Sequence, residues 1–245
     1  MLYLIKRNKF RDRQITIMDL FLPAAMALVI GLVHFFGEEI DEYTGMYSFF
    51  LVSFSAGFTV AYFFSALMPE VMRNTALPVQ NASILAGFSM FYVVEEFLYG
   101  RESNLGRIRE EFKEVHTGFT MLYHVAVGMI LFFLAQGGRE KLLLFFLPVV
   151  LHTLVNSLAM KEMHEEMLKY RYIKVITSLS VLIGVLLNHF LRVPESYIYV
   201  LLGTVAGAFV YMVVHDALDP RKERPVGFIS GVLLFIALNA ALSIL

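Results

Sequence analysis

Two histidines, one amide and two glutamates are the residues whose type and spacing suit chemistry in an apolar setting. His152 and Asn156 stand four apart within LLLFFLPVVLHTLVNSLAM, residues 142–160. That spacing puts both on one helix face, one turn apart. His124 lies in a second apolar run, and Glu95-Glu96 close a third. Hydrocarbon offers such groups no hydrogen-bond partner, so they face a bundle interior and often mark a pathway. The plainer role is an interhelical hydrogen bond, with His and Asn as glue. For the His152–Asn156 pair alone the two roles weigh equally. Neutral imidazole is a good ligand for Zn, Fe, Ni or Cu, whereas an amide oxygen is weak and neutral. A transported ion must leave again, so a weak site suits a transporter better than a structural centre. Of Glu95 and Glu96, one can face inward and hand a cation on while the other reaches the interface. An interfacial pairing with Arg101 is an equally good account of them.

The elements that must hold these groups are set by composition. Of 245 residues, 58% are hydrophobic and only 17% charged, against roughly a quarter charged in soluble domains. Mean hydropathy is +0.67. The apolar runs are continuous and lack the period-two alternation of a membrane barrel, so an all-α polytopic membrane protein is expected. Eight spans can be drawn, at 15–36, 47–68, 81–99, 117–135, 142–160, 172–191, 197–216 and 226–245. They make one membrane domain over 1–245. No small-residue cleavage site follows the basic segment Lys6 to Arg13, so the first span is expected to be kept. A net charge of −1 gives no sign of a nucleic-acid partner, and the absence of cysteine excludes disulfides and thiolate sites. The connections GRESNLGRIREEFKEVH and KEMHEEMLKYR read as amphipathic, interfacial extensions of their helices. QGGREK is short enough to make spans four and five close neighbours. At ~1.5 Å per residue, these antiparallel neighbours would hold His124 and His152 within roughly 5 Å in depth.

Lys and Arg concentrate in the connections after spans three, five and seven, which predicts both termini outside. The basic N-terminal segment pulls the other way. Spans two and seven are similar to each other: AGFTVAYFFSALMPE begins at Ala56 and AGAFVYMVVHDALDP at Ala206. Each is followed by a Gly-containing apolar span, around Gly87 and Gly231. The copies lie an odd number of spans apart and so run in opposite directions. Such an inverted repeat is a common plan of secondary transporters, with the site near the midplane. Spans one to three then match six to eight, and spans four and five, with the histidines, are left in the middle.

Other polar residues carry weaker signals. Glu70, after Pro69, is placed to collect cations at an entrance, and GEEIDE (Glu38, Glu39, Asp41, Glu42) reads as a solvated turn. His215 and Asp216 are ambiguous. His34, His116, His164 and His189 lie near span ends, where a wet histidine needs no special role.

SFSAGFTVAYFFSALMPE resembles the second span of the ZIP metal-ion transporters, and AGFSMFYVVEEF their third. GTVAGAFVYMVVHDALDP followed by GFISGVLLFIAL is similar to their last two. The resemblance implies a 3+2+3 inverted-repeat bundle with both termini outside. It further implies transport of zinc or another divalent metal as substrate, with no bound cofactor and no enzyme activity. The metal-site residues are then His152, Asn156, His124, Glu95 and Glu96. A lipid bilayer surrounds the chain, and a homodimer is within the expectation. The family's fourth span pairs its histidine with an amide and an acid, where this chain has HVAVG from His124. Its fifth carries further ligands, where this chain has HTLVN from His152. Two alternatives stand beside this: a ZIP-like protein that no longer transports, and an intramembrane protease. HTLVN fits the His-x-x-x-Asn motif of CAAX-type proteases, and Glu95, Glu96, Arg101 and His124 occur in the right order. In such an enzyme Glu would activate water while His and Asn hold an oxyanion. The spacings of Arg101 and Phe119 are each one residue off, about 100° of helix rotation.

Overall fold

A computed structural model describes residues 17–44, 48–99, 106–159, 171–212 and 224–244. Side chains are described for 19–37, 49–94, 96, 118–155, 172, 174–212 and 224–243. These residues form helical rods, and no strand occurs among them. The rods are α1 (Ile17–Thr44), α3 (Leu77–Tyr99), α4 (Gly106–Gly137), α5 (Arg139–Ala159), α6 (Arg171–Leu191), α7 (Glu195–Met212) and α8 (Pro225–Ile244). The remaining rod, α2, joins Ser48–Tyr62, a π-helical turn Phe63–Leu67 and Met68–Asn74. Among the described residues, seven rods are long and apolar enough to cross a membrane. The other, α5, carries the apolar run 142–160. The chain is an all-α, multi-pass membrane protein, and each expected span falls on one rod.

Two expectations change. GEEIDE is not a turn but part of α1, which runs on to Thr44; Glu is a good helix former and the segment holds no Pro to stop it. Span two, drawn to 68, does not stop there either, because α2 continues through Pro69 and Glu70 to Asn74. Pro69 cannot donate to the carbonyl one turn back, and its ring would strike it. The chain answers with a wider turn, in which Met68 N–H reaches Phe63 O, and the helix resumes. The connection before span four is helical from Gly106, as an extension of α4. The connection 160–170 lies outside the described residues. A single residue, Gly138, links α4 to α5 at φ +130°, a conformation open to glycine.

Helix packing then sorts inside from outside. The broadest contacts are α2 with α8, α3 with α7, and α4 with α6; each pair is parallel, since its members are an even number of crossings apart. A β-carbon on Gly57 would lie 2.0 Å from Phe228 O, and one on Gly207 1.9 Å from Ile84 O. Only glycine lets the backbones approach so closely. α2, α5, α4 and α7 contact one another in a ring, while α1 lies across α5 and α6. Phe132, Phe145 and Phe209, on α4, α5 and α7, are fully buried. On α1, α3, α6 and α8, Phe21, Leu85, Phe190 and Leu233 are exposed, and in a membrane they meet lipid.

Candidate functional site

The close approach of α4 and α6 positions the first histidine. β-Carbons on Gly128 and Gly184 would lie 1.9 Å from Val181 O and 2.0 Å from Val125 O. One turn before Gly128, His124 is buried, and its Nδ1 lies 3.3 Å from Thr177 O on α6. A carbonyl only accepts, so Nδ1 carries the proton and Nε2 keeps its lone pair. This is the arrangement in which a backbone carbonyl fixes a metal-binding imidazole. The His34 ring of α1 meets the His124 ring edge-on, with centroids 5.2 Å apart.

The second histidine belongs to α5 and turns toward α7. His152 Nε2–H donates to Met212 Sδ at 3.0 Å, and its ring packs 5.5 Å from Phe209. Tyr123 packs against the same Phe209 at 6.2 Å and against Phe91 of α3 at 5.6 Å. Tyr123 Oη is buried and has no hydrogen-bond partner in the structure. His124 and His152 are linked through ring contacts, since Tyr123 packs on the His124 ring at 5.9 Å and on the same Phe209 that His152 meets.

The expected site residues therefore fall into three groups. His124 and His152 are brought to one interior region. Glu96 is exposed on α3. The side chains of Asn156 and Glu95 lie outside the described residues, as do His116, His164, Arg101, His215 and Asp216. Among the described residues, no three His, Cys, Asp or Glu side chains form a metal-binding group. Glu70 does not stand open at an entrance: Lys141 Nζ pairs with its carboxylate at 2.7 Å, and Tyr199 Oη donates to it at 3.4 Å. This cluster joins the end of α2 to the starts of α5 and α7, at the end of the bundle away from His124 and His152.

Two histidines expected to be merely wet are not. His34 packs on His124, and His189 packs on Phe132 at 5.4 Å. Depth counting could have found His34. Span one, drawn to 36, ends at the face where span four, drawn from 117, begins, and both residues sit within two turns of those ends. Met212 carried no such signal, since one methionine among 13 says nothing of its neighbour.

The fold and site thus define a multi-pass helical membrane protein with imidazoles gathered inside its bundle. Compared with protein-family models the chain finds no match, and compared with curated proteins it finds no significant relative.

Proposed function

We propose that this protein is a ZIP-like transporter of metal cations, with zinc or a similar divalent ion as the first cargo to test. The observation that carries the reading is His124: buried inside the bundle, its Nδ1–H is held by Thr177 O, and Nε2 is left as a ligand. His152 lies close by on α5, and Asn156 follows it by one turn. Neutral imidazoles bind a transition-metal ion without the tight grip of a carboxylate cage.

Helix contacts that fit a 3+2+3 inverted repeat support the same reading. Exchanging α1, α2 and α3 with α6, α7 and α8, and α4 with α5, turns the α2–α8 contact into α7–α3 and the α4–α6 contact into α5–α1. The small residues follow. Ser83 packs against Gly203 on one seam and Ser53 against Gly227 on the other, the same slot with its two residues exchanged. Transporters of this plan bind their substrate where the repeats meet, and α4 and α5 are the helices there.

The test is uptake of radioactive zinc into liposomes holding the purified protein, beside protein-free liposomes. Uptake by the native protein that is lost in His124→Ala supports the reading. A properly inserted protein that moves no metal cation sinks it. Cleavage of a prenylated peptide by the native protein, lost in Glu95→Gln or Glu96→Gln, would replace it with the protease reading.

A further inference from the structure

Interior donors in this bundle come in twos. His34 and His124 form one pair, with rings 5.2 Å apart, and His152 and Met212 form the other, with Nε2 and Sδ 3.0 Å apart. All four side chains are uncharged donors when neutral. Among the described residues, no three His, Cys, Asp or Glu side chains stand together as a metal-binding group.

Cation chemistry discriminates sharply on those two features. Moving an ion from water into a low-dielectric interior costs energy that grows with the square of its charge, so a doubly charged ion costs about four times a singly charged one of equal size. Zn²⁺ offsets this with about four ligands, commonly including anionic ones. A thioether is a soft ligand that selects Cu(I) among the first-row metals. Cu(I) and its heavier analogue Ag⁺ are singly charged, have filled d shells and are satisfied by two or three neutral donors.

Resting on the reading of this bundle as a metal-cation transporter, we infer that Met212 and His152 together hold the cargo, and that the cargo is a soft, singly charged cation of the Cu(I)/Ag⁺ class. The geometry needs little change. Nitrogen at ~2.0 Å and sulfur at ~2.3 Å from one ion stand roughly 3.5 Å apart at a tetrahedral angle and roughly 4.3 Å in a line. The observed 3.0 Å must open by between about 0.5 and 1.3 Å, and a methionine side chain has three rotatable bonds with which to do so. The proton on His152 Nε2 moves to Nδ1, the other neutral tautomer, and the freed lone pair takes the ion. The His34–His124 pair is a second station. Two imidazoles on one tetrahedral ion have centroids about 5 Å apart, from the usual metal–nitrogen distance of ~2.0–2.1 Å.

Silver ion tests this without redox control. The purified full-length chain in chloride-free buffer is titrated with Ag⁺ and, separately, with Zn²⁺. The expected result is one tightly held Ag⁺ per chain, with Zn²⁺ held at least tenfold more weakly. Met212→Leu, which keeps the side-chain volume, should weaken Ag⁺ at least tenfold and leave Zn²⁺ unchanged. Should that variant fail to fold, X-ray absorption of the native protein at one silver per chain still decides. Nitrogen and sulfur together in the first coordination sphere support the site, and either element alone overturns it. Zn²⁺ held more tightly than Ag⁺, or Ag⁺ indifferent to Met212→Leu, removes the soft-cation inference while leaving metal transport standing. Binding of neither ion removes both.

Discussion

Gly57 and Gly231 share one seam, each lacking a β-carbon where the other's helix sets a carbonyl. A β-carbon on Gly57 would fall 2.0 Å from Phe228 O, and one on Gly231 2.1 Å from Phe54 O. In each case the carbonyl belongs to the residue three before the partner glycine. Gly87 and Gly207 repeat the relation through Thr204 O and Ile84 O, and Gly128 and Gly184 through Val181 O and Val125 O. Without a hydrophobic drive between helices in lipid, such backbone proximity and its van der Waals contact hold the pairs together.

Breaking that seam should therefore cost stability in a particular pattern. Gly57→Ala and Gly231→Ala are each expected to destabilise the protein by ~1–3 kcal/mol, the usual range for overpacking. The double variant should cost less than the sum, because the first methyl already parts the helices. Gly118→Ala, with nothing within 4 Å of its β-carbon, should instead gain up to ~1 kcal/mol in helix propensity. Unfolding titrations in mixed detergent would measure all four. A native-like Gly57→Ala would show that α2 and α8 do not pack this closely.

The turn between α6 and α7 rests on Asn188. Its side-chain Nδ2 donates to Met129 O of α4 at 2.7 Å, while its Oδ1 accepts from Val193 N at 3.2 Å. Asn188→Ala removes both bonds, leaves the Val193 N–H without this acceptor and should cost ~1–3 kcal/mol. The same turn holds Arg192 at φ +50°, a left-handed conformation worth roughly 1–2 kcal/mol of strain to a residue with a β-carbon. Arg192→Gly should stabilise by up to ~1 kcal/mol, less the extra freedom glycine gives the unfolded chain. A loss of stability in Arg192→Gly would mean the arginine side chain matters more than its backbone.

The Glu70–Lys141 pair should be worth little by itself. Lys141 is 49% exposed and Glu70 18%, so the solvated ammonium limits the gain to about 1 kcal/mol or less. Lys141→Ala is expected to fall in that range and to match the native protein at high salt. Glu70→Ala should cost more, since Asn74 and Tyr199 lose an acceptor with it. Equal losses in the two variants, unaffected by salt, would contradict this.

Topology can be read with single cysteines, since the chain has none. Ser196→Cys and Arg224→Cys flank α7 and should label from opposite sides. The Lys/Arg distribution predicts position 224 in the cytosol. Labelling of position 224 from outside would reverse the orientation and move the histidine cluster to the outer half.

Transport should discriminate among the site residues. His152→Ala is expected to abolish uptake in a protein that still inserts, because insertion follows the surrounding apolar run. Asn156→Ala should reduce uptake less, as an amide oxygen is a weak ligand, and Asn156→Asp should tighten binding and slow release. If His152 serves only as interhelical glue, His152→Ala would cost ~0.6 kcal/mol of stability and leave uptake intact.

The all-helical, membrane-crossing class was determined by the sequence alone. Continuous apolar runs of bilayer length leave a helix as the way to satisfy every backbone polar group in lipid. The kinship of Gly57 with Gly207, and of Gly87 with Gly231, was also visible along the chain. What those glycines touch was not, because a seam is a relation between helices more than 100 residues apart and periodicity reports only one helix at a time. Tertiary structure likewise decided that α2 passes through Pro69 by widening a turn, and that α1 outlasts its apolar run. It also drew His34 to His124 and Met212 to His152. In a bundle where most inward positions are apolar, rotation and depth are set by packing against neighbours. The donors a histidine meets are therefore fixed by those neighbours and not by its own flanking residues.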